Sequence, residues 1–469
     1  MSDSFLGSED ISPTPDPTTS TKAKVQVRRE VMLLAWPAVI EMILQMSVGI
    51  ADMVMVGRLG AAALASVEIT NRLINLSVAI FAAISTGATA LVARHIGADQ
   101  RLEANQVARQ SLVIVALLAL FVGAAGVIWA EPLTKFMLIF GSVDEQVVLL
   151  GQNYLAIIAW SMPLAMIMLA VNAILRGAGD TKTPMWVTLF INLINIIGNY
   201  ILIFGKLGFP AMGVSGAALS SAISRVIGGI IVLLVLFKAS SPIQLSFRDS
   251  YLPDWAVIKR ILNIGIPAAL EQFVMRGGQT LYGMIVAGMG TTVIAAHAIA
   301  LTAESLSFMP GSGFSLAAMT LAGQNLGAKN PNRAELAVTQ AAKIAMTSMG
   351  IMGVVFFIWA EPLIALFTSD PEVIPLASTA LRIVAVSQPA LAWVMVLSGG
   401  LRGAGDTRFV LYIMAAGVWG FRVPLAYLLG ITMQLGLVGA WLAMIADLFI
   451  RMILFVARFR HGGWKSLSV

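Results

Sequence analysis

Asp52 stands inside a long apolar run, and an acid in such a run is where chemistry is first sought. On an insertion scale, an Asp at the middle of a membrane span is disfavoured by about 2.5–3.5 kcal/mol, so such acids are rare and usually have a task. Six acids fall in apolar runs: Glu41, Asp52, Glu68, Glu271, Glu304 and Asp447. Glu41, Gln45, Val48 and Asp52 are spaced i, i+4, i+7 and i+11, which is one face of a helix. Asn192, Asn195 and Asn199 share a face in the same way, at i, i+3 and i+7. A carboxylate opposite amides and hydroxyls can hold a proton or a sodium ion, because amides either ligate a cation or hydrogen-bond both protonation states. The plainer alternative is that Asp52 is a hydrogen-bonding group near a helix end.

The other acids allow two readings each. Glu41 and Glu271 each follow a proline by four residues, Pro37 and Pro267. They are expected to be structural, bonding backbone that proline frees. Glu271, Met275 and Tyr282 share a face, and Tyr282 stands where the first half has Asp52. His297 and Glu304 lie seven apart on one face. They either move protons and attract cations, or satisfy each other. Glu68 with Arg72, and Asp447 with Arg451, are i,i+4 pairs expected to neutralise themselves. Arg422 has no local partner and is expected to pair with an unnamed acid of the second half.

These residues need a membrane scaffold. The 469 residues are 58% hydrophobic and 12% charged, against roughly 25% charged in soluble domains. There is no cysteine, and only His95, His297 and His461 offer imidazole, so a metal centre beyond a sodium ion at Asp52 is not expected. Nucleophile–base and nucleotide-binding motifs are lacking, so neither an enzyme nor an ATP-driven pump is expected. Cofactors and nucleic acid are not expected either.

Twelve runs have the roughly 20 apolar residues that a spanning helix needs. They cover 32–56, 62–94, 107–129, 147–174, 184–204, 212–237, 261–287, 292–324, 336–358, 374–400, 409–430 and 436–457. Of the 30 Lys and Arg, six fall in spans. With the N-terminus inside, only Arg58, Lys135 and Lys206 fall in outer loops, and the other 21 lie inside. The excess of Lys and Arg on one side is expected to place both termini in the cytoplasm of an inner-membrane protein.

The chain also repeats itself. Ile128-Trp129-Ala130-Glu131-Pro132-Leu133 recurs 230 residues later at 358–363, and Leu175-Arg176-Gly177-Ala178-Gly179-Asp180-Thr181 recurs 226 later at 401–407. Two six-span halves of equal orientation are therefore expected, related by an axis along the membrane normal. The expected division is a disordered tail at 1–30, a bundle at 31–239, a linker at 240–257, a bundle at 258–458 and a tail at 459–469, with a cleft between the bundles.

The run 51–60, the paired Leu-Arg-Gly-Ala-Gly-Asp-Thr loops, Gly323-Gln324-Asn325-Leu326-Gly327-Ala328 and the ending 458–464 sit in register with these spans. In this the chain resembles prokaryotic multidrug and toxic compound extrusion (MATE) transporters over nearly all its length. The resemblance implies an all-α, V-shaped membrane protein of two six-helix bundles. It further implies export of cationic or amphipathic small molecules, driven by proton or sodium antiport in a functional monomer. It places the cation site at Asp52, Asn195 and Asn199, with Asn192 alongside and Ser220 or Ser221 on the sixth span. Some relatives have a second acid where Asn199 stands, and some have an acid where Met275 and Arg276 stand. The cleft candidates are Glu41, Gln45, Glu271, Met275, Tyr282, His297 and Glu304. Lipid flipping is the alternative, but it calls for more basic residues in the spans than these six.

Overall fold

The computed structural model describes residues 21–137, 144–238, 242–246 and 248–467, and among these every regular element is helical. The first half contains α1 (Thr21–Gly57), α2 (Ala61–Gly97), α3 (Arg101–Ile128), the short α4 (Ala130–Met137), α5 (Glu145–Gly177), α6 (Lys182–Phe204) and α7 (Gly213–Leu236). The second contains α8 (Trp255–Ala287), α9 (Thr291–Gly327), α10 (Pro331–Ile358), the short α11 (Ala360–Ala365), α12 (Val373–Ala385) and α13 (Gln388–Gly403). It ends with α14 (Thr407–Thr432) and α15 (Gly436–His461). Among the described residues, ten helices are long and apolar enough to cross a membrane, and α12 with α13 can form an eleventh span. The seventh expected run lies within α8, which is 33 residues long and occupies the repeat position of α1.

Polar residues set where helices start. The Asp144 carboxylate accepts from the Gln146 amide at 2.9 Å, and that of Asp254 from Ala256 at 3.0 Å. Asn330 caps α10 by accepting from Arg333 at 3.0 Å, with Pro331 in the first turn, where a missing N–H is harmless.

The repeat extends to the backbone. α2 and α9 are each 37 residues, and α3 and α10 each 28. Asp99 and Lys329, 230 residues apart, both take left-handed φ values, 56° and 57°. Gly179 and Gly405 close the paired loops with φ of 94° and 89°.

The halves meet at the end that carries both termini. There α2 and α9 cross so closely that a Cβ on Gly97 would strike the Gln324 carbonyl, and one on Gly327 the Arg94 carbonyl. Small residues let helix backbones approach in this way. Hydrogen bonds gather around the crossing. Thr320 Oγ1 donates to the Arg176 carbonyl at 3.0 Å, Gln324 Nε2 to that of Gly177 at 3.1 Å, and Arg94 Nη2 to that of Leu467 at 2.6 Å.

Several expectations change. The tail expected over 1–30 overlaps α1 from Thr21, and residues 1–20 lie outside the described residues. Val27 and Val31 are buried in the core of the second half, and Glu30 pairs with Arg333, so this turn of helix has packing to hold it. In exchange, Val257, Ile261 and Ile264 of α8 are buried in the core of the first half, as are Ile243 and Leu245 of the expected linker. The expected C-terminal tail begins as the end of α15, and its Trp464 is fully buried and stacked on Phe459 at 4.9 Å. The single span expected at 374–400 is broken, with α12 and α13 meeting at 57°. Pro389 lies in the first turn of α13; it has no N–H for the carbonyl of Ala385, four residues back, where α12 ends, and its ring would clash with that carbonyl in a continuous helix. In α14, Pro424 sits between two wide-turned stretches, Ala416–Arg422 and Tyr427–Thr432, as a residue without an amide hydrogen permits.

Candidate functional site

Asp52 comes from α1 and the asparagine row from α6, and the structure brings them together. Asn199 Nδ2 donates to Asp52 Oδ1 at 2.5 Å and lies 3.2 Å from Asn195 Oδ1. Asn195 Nδ2 donates to Ser221 Oγ at 3.0 Å, while Ser220 Oγ donates to the Asn195 carbonyl at 2.8 Å. Asn192 Nδ2 donates to the Leu44 carbonyl at 2.7 Å and so ties α6 to α1. Gly198 leaves room for the Ser220 hydroxyl, because a Cβ there would overlap it. The result is one connected polar chain, carboxylate to amide to amide to hydroxyl, across three helices.

The chain borders a cavity of about 770 Å³. Its wall comes from the first half, with Leu316 of α9 the sole contribution from the second among the described lining residues. This cavity is therefore a chamber inside one bundle and is separate from the cleft expected between the bundles. Helix-face periodicity accounts for this: the Asp52 face of α1 and the asparagine face of α6 look at each other within the first half.

Glu41 and Gln45 line this cavity, whereas Glu271, Met275, Tyr282, His297 and Glu304 do not. Nor do Glu41 and Glu271 bond backbone freed by proline. Glu41 Oε1 accepts from Arg176 Nη1 at 3.1 Å, and Glu271 Oε1 from Arg402 Nη2 at 2.5 Å. Each arginine belongs to a repeated Arg-Gly-Ala-Gly-Asp-Thr loop, so the duplication carries the same buried ion pair twice. A guanidinium offers charge and several donors, which competes better for a buried carboxylate than a peptide group does.

In the second half, Tyr282, His297 and Glu304 are buried. His297 Nδ1 accepts from Trp441 Nε1 at 3.2 Å, and its ring centroid lies 5.5 Å from that of Tyr282. No hydrogen bond joins His297 to Glu304 among the described residues, so the two do not satisfy each other. Val418, Phe421 and Leu425 stand at the repeat positions of Asn192, Asn195 and Asn199. Met275 packs against the apolar core. Arg422 finds its acid in Asp447, at 2.8 Å, which also holds Arg451 at 2.5 Å. Gly417 makes space for that cluster. Glu68 and Arg72 form no ion pair, and both are exposed. Glu68 instead lines the cavity.

The cavity also contains residues not singled out from the sequence: Asn71, Asn75, Tyr154, Asn172 and Arg225. Periodicity held the signal for some of them. Glu68, Asn71 and Asn75 are spaced i, i+3, i+7, and Met168, Asn172 and Arg176 are spaced i, i+4, i+8. The Oδ1 atoms of Asn172 and Asn199 are buried without a hydrogen-bond partner among the described residues. The Asn199 acceptor belongs to the amide that bonds Asp52, and a free oxygen beside a carboxylate fits a small cation, while the donor arrangement at Asp52 equally fits a carboxyl that titrates. Among the described residues, no group of three or more His, Cys, Asp or Glu could hold a metal ion.

The MatE family model matches residues 37–201 and 267–428, once in each half. The chain belongs to the MatE family. A probable multidrug resistance protein NorM of Thermotoga maritima is 35% identical over 95% of this chain and 94% of its own length. The uncharacterized transporter YisQ of Bacillus subtilis is 29% identical over 95% of this chain and 97% of its own. Among solved structures, a MATE crystallised with MaD3S is 25% identical, with a TM-score of 0.85 over 93% of this chain and 95% of that one. A MOP superfamily transporter from Pyrococcus furiosus, 24% identical, superposes with a TM-score of 0.86 over 94% of this chain and 97% of that one, which shows the common fold. The two matched segments fall on the two halves that the repeat delimits, so MATE membership and the duplication describe one architecture: an all-α membrane transporter.

Proposed function

We propose that this MATE protein is a multidrug efflux transporter, exporting cationic or amphipathic small molecules in exchange for protons or sodium ions. The observation that carries the reading is the Asp52–Asn199–Asn195–Ser221 chain on the wall of a cavity of about 770 Å³. That volume lies within the range of small-molecule sites. An ionised Asp52 attracts a cationic substrate. Loading Asp52 with a proton or a sodium ion removes that attraction, so the coupling ion and the substrate compete for one charge.

The setting is the inner membrane, with both termini in the cytoplasm and a monomer as the working unit. The charge count supports the orientation, since the end that carries the termini also carries most of the Lys and Arg. On this assignment the inner end is the closed one, and the cavity communicates with the outside. Pro37 lies inside α1, between that closed end and the cavity residues Glu41 and Asp52. A MATE 25% identical to this chain has been solved in both a bent and a straight conformation. Movement of α1 about Pro37 is the corresponding step proposed here.

Substrate-induced ion flux in vesicles tests the coupling. Proton release on addition of a cationic dye, unchanged when sodium is replaced by choline, identifies proton antiport. Flux that requires sodium identifies the other ion. No flux of either ion alongside dye transport contradicts antiport.

A further inference from the structure

A second cavity, of about 670 Å³, lies outside the site described above, near the start of α8 and at the end of the molecule that carries both termini. Trp255, Lys259, Arg260, Asn263 and Ile266 line it. Trp255, Lys259, Asn263, Ile266, Leu270 and Phe273 are spaced i, i+4, i+8, i+11, i+15 and i+18, so they form one stripe along the helix, and all six are exposed. The stripe changes character along its length: cationic and polar at Lys259 and Asn263, then apolar. Arg408 of α14 adds a second cation, donating from Nη2 to Asn263 Oδ1 at 2.7 Å. Asn263 sits one turn from Lys259, so the two cations flank the same turn of α8. Among the described residues neither forms an ion pair, whereas Arg176, Arg402 and Arg458 at this end each have an acid within 3.1 Å. From Asn263 to Phe273 the helix rises about 15 Å, which is half the thickness of a bilayer's hydrocarbon core.

We propose that this stripe binds one anionic phospholipid of the cytoplasmic leaflet, with the phosphate held by Lys259 and Arg408 and an acyl chain along Ile266, Leu270 and Phe273. Charge complementarity selects the occupant. Two cations without an acid of their own stand at headgroup depth, where the inner leaflet is negatively charged, and the apolar turns stand at chain depth. Trp255, beyond them, is of the residue type that favours the membrane–water interface. The equivalent face of α1 lacks this arrangement. Arg29 and Lys182 stand at the repeat positions of Lys259 and Arg408, but Leu33 replaces Asn263 and Val25 replaces Trp255. Only the second half therefore has an amide that holds the cation of the neighbouring helix in place. The inference uses the inside assignment of the termini, and its binding test depends on neither export nor coupling.

The probes are dioleoylphosphatidylglycerol and dioleoylphosphatidylcholine, which share their chains and differ in net charge. Binding of the first lipid to the purified full chain in a neutral detergent is read by native mass spectrometry. Wild type is expected to favour phosphatidylglycerol by about tenfold, the scale set by two basic residues at a membrane surface. The double variant Lys259→Gln/Arg408→Gln should abolish that preference and leave phosphatidylcholine binding unchanged. Arg29→Gln/Lys182→Gln, which removes the same charge at the repeat positions, should keep it. Asn263→Leu, which places the first-half residue there and leaves both cations, should lower the preference in part, and it keeps the test decisive if the Gln pair does not fold. Inorganic phosphate, the charge without the chains, should not displace the lipid. A wild type without preference, equal loss in the two Gln pairs, a full preference in Asn263→Leu, or displacement by inorganic phosphate overturns the proposal. Equal loss would mean diffuse attraction to a basic surface, and displacement would mean a site for free phosphate.

Discussion

At the scale of residues, the buried ion pairs and the Asp52 chain make different demands. Glu41 is nearly enclosed, with its side chain 4% exposed and that of Arg176 at 15%. Removing one partner of a buried pair typically destabilises by about 3–5 kcal/mol, because the other charge is left stranded. Glu41→Gln and Arg176→Gln should therefore each lower the melting temperature and the yield of folded protein, and the double variant should recover part of the loss. A double variant as poor as the sum of the two would show that the pair does not act as a unit. Asn199→Ala should weaken export less than loss of the Asp52 charge, since it removes a partner and keeps the carboxylate. Vesicle efflux normalised to folded protein compares the two. The faces that carry Asp52 and Asn192, Asn195 and Asn199 were legible because helical spacing alone aligns them. The partners of Glu41 and Arg422 were not, because Arg176 lies 135 residues from Glu41 and Asp447 lies 25 residues from Arg422. Only packing decides which of several acids and arginines meet. Arg225 was passed over for the same reason: its place on the cavity wall is a property of the fold.

At the scale of elements, apolar run length located the spans well, and the two longest expected runs became the 37-residue α2 and α9. Bends were less legible. Pro163 and Pro389 occupy equivalent repeat positions, yet α5 continues through the first and the chain breaks before the second. Proline removes a donor in both cases, and neighbouring helices decide whether the helix survives. The α2–α9 crossing gives a sharper test. Gly97 and Gly327 each have no room for a Cβ against the opposing backbone. Gly97→Val or Gly327→Val should force the inner ends apart and favour an inward-open form. A chain without native cysteines suits the measurement. A single cysteine introduced at Ser85, buried at 6% exposure, should react with a cytoplasm-side maleimide faster in either variant than in the Gly parent. Equal rates would show that the contact does not hold the inner end closed.

At the scale of the molecule, the duplication explains what the halves share, and its divergence explains what they do not. Both keep the Glu–Arg pair, the loop glycines and the lengths of the second and third helices. Only the first has a carboxylate facing asparagines, whereas the second has Tyr282 at the position of Asp52 and Val418, Phe421 and Leu425 at those of the asparagines. On the proposed function, coupling belongs to the first half. Topology follows from charge: a cysteine at residue 465 should be labelled only from the cytoplasm, and one at Glu131 or Glu361 only from outside. Labelling of residue 465 from outside intact cells would contradict the orientation. The central claim is that the Asp52 charge couples ion entry to export. Efflux of a fluorescent cation from vesicles under an imposed ion gradient, for wild type and Asp52→Asn at equal amounts of folded protein, tests it most directly. The account predicts normal folding and insertion of the variant with gradient-driven efflux abolished, whereas efflux at the wild-type rate would remove Asp52 from the mechanism.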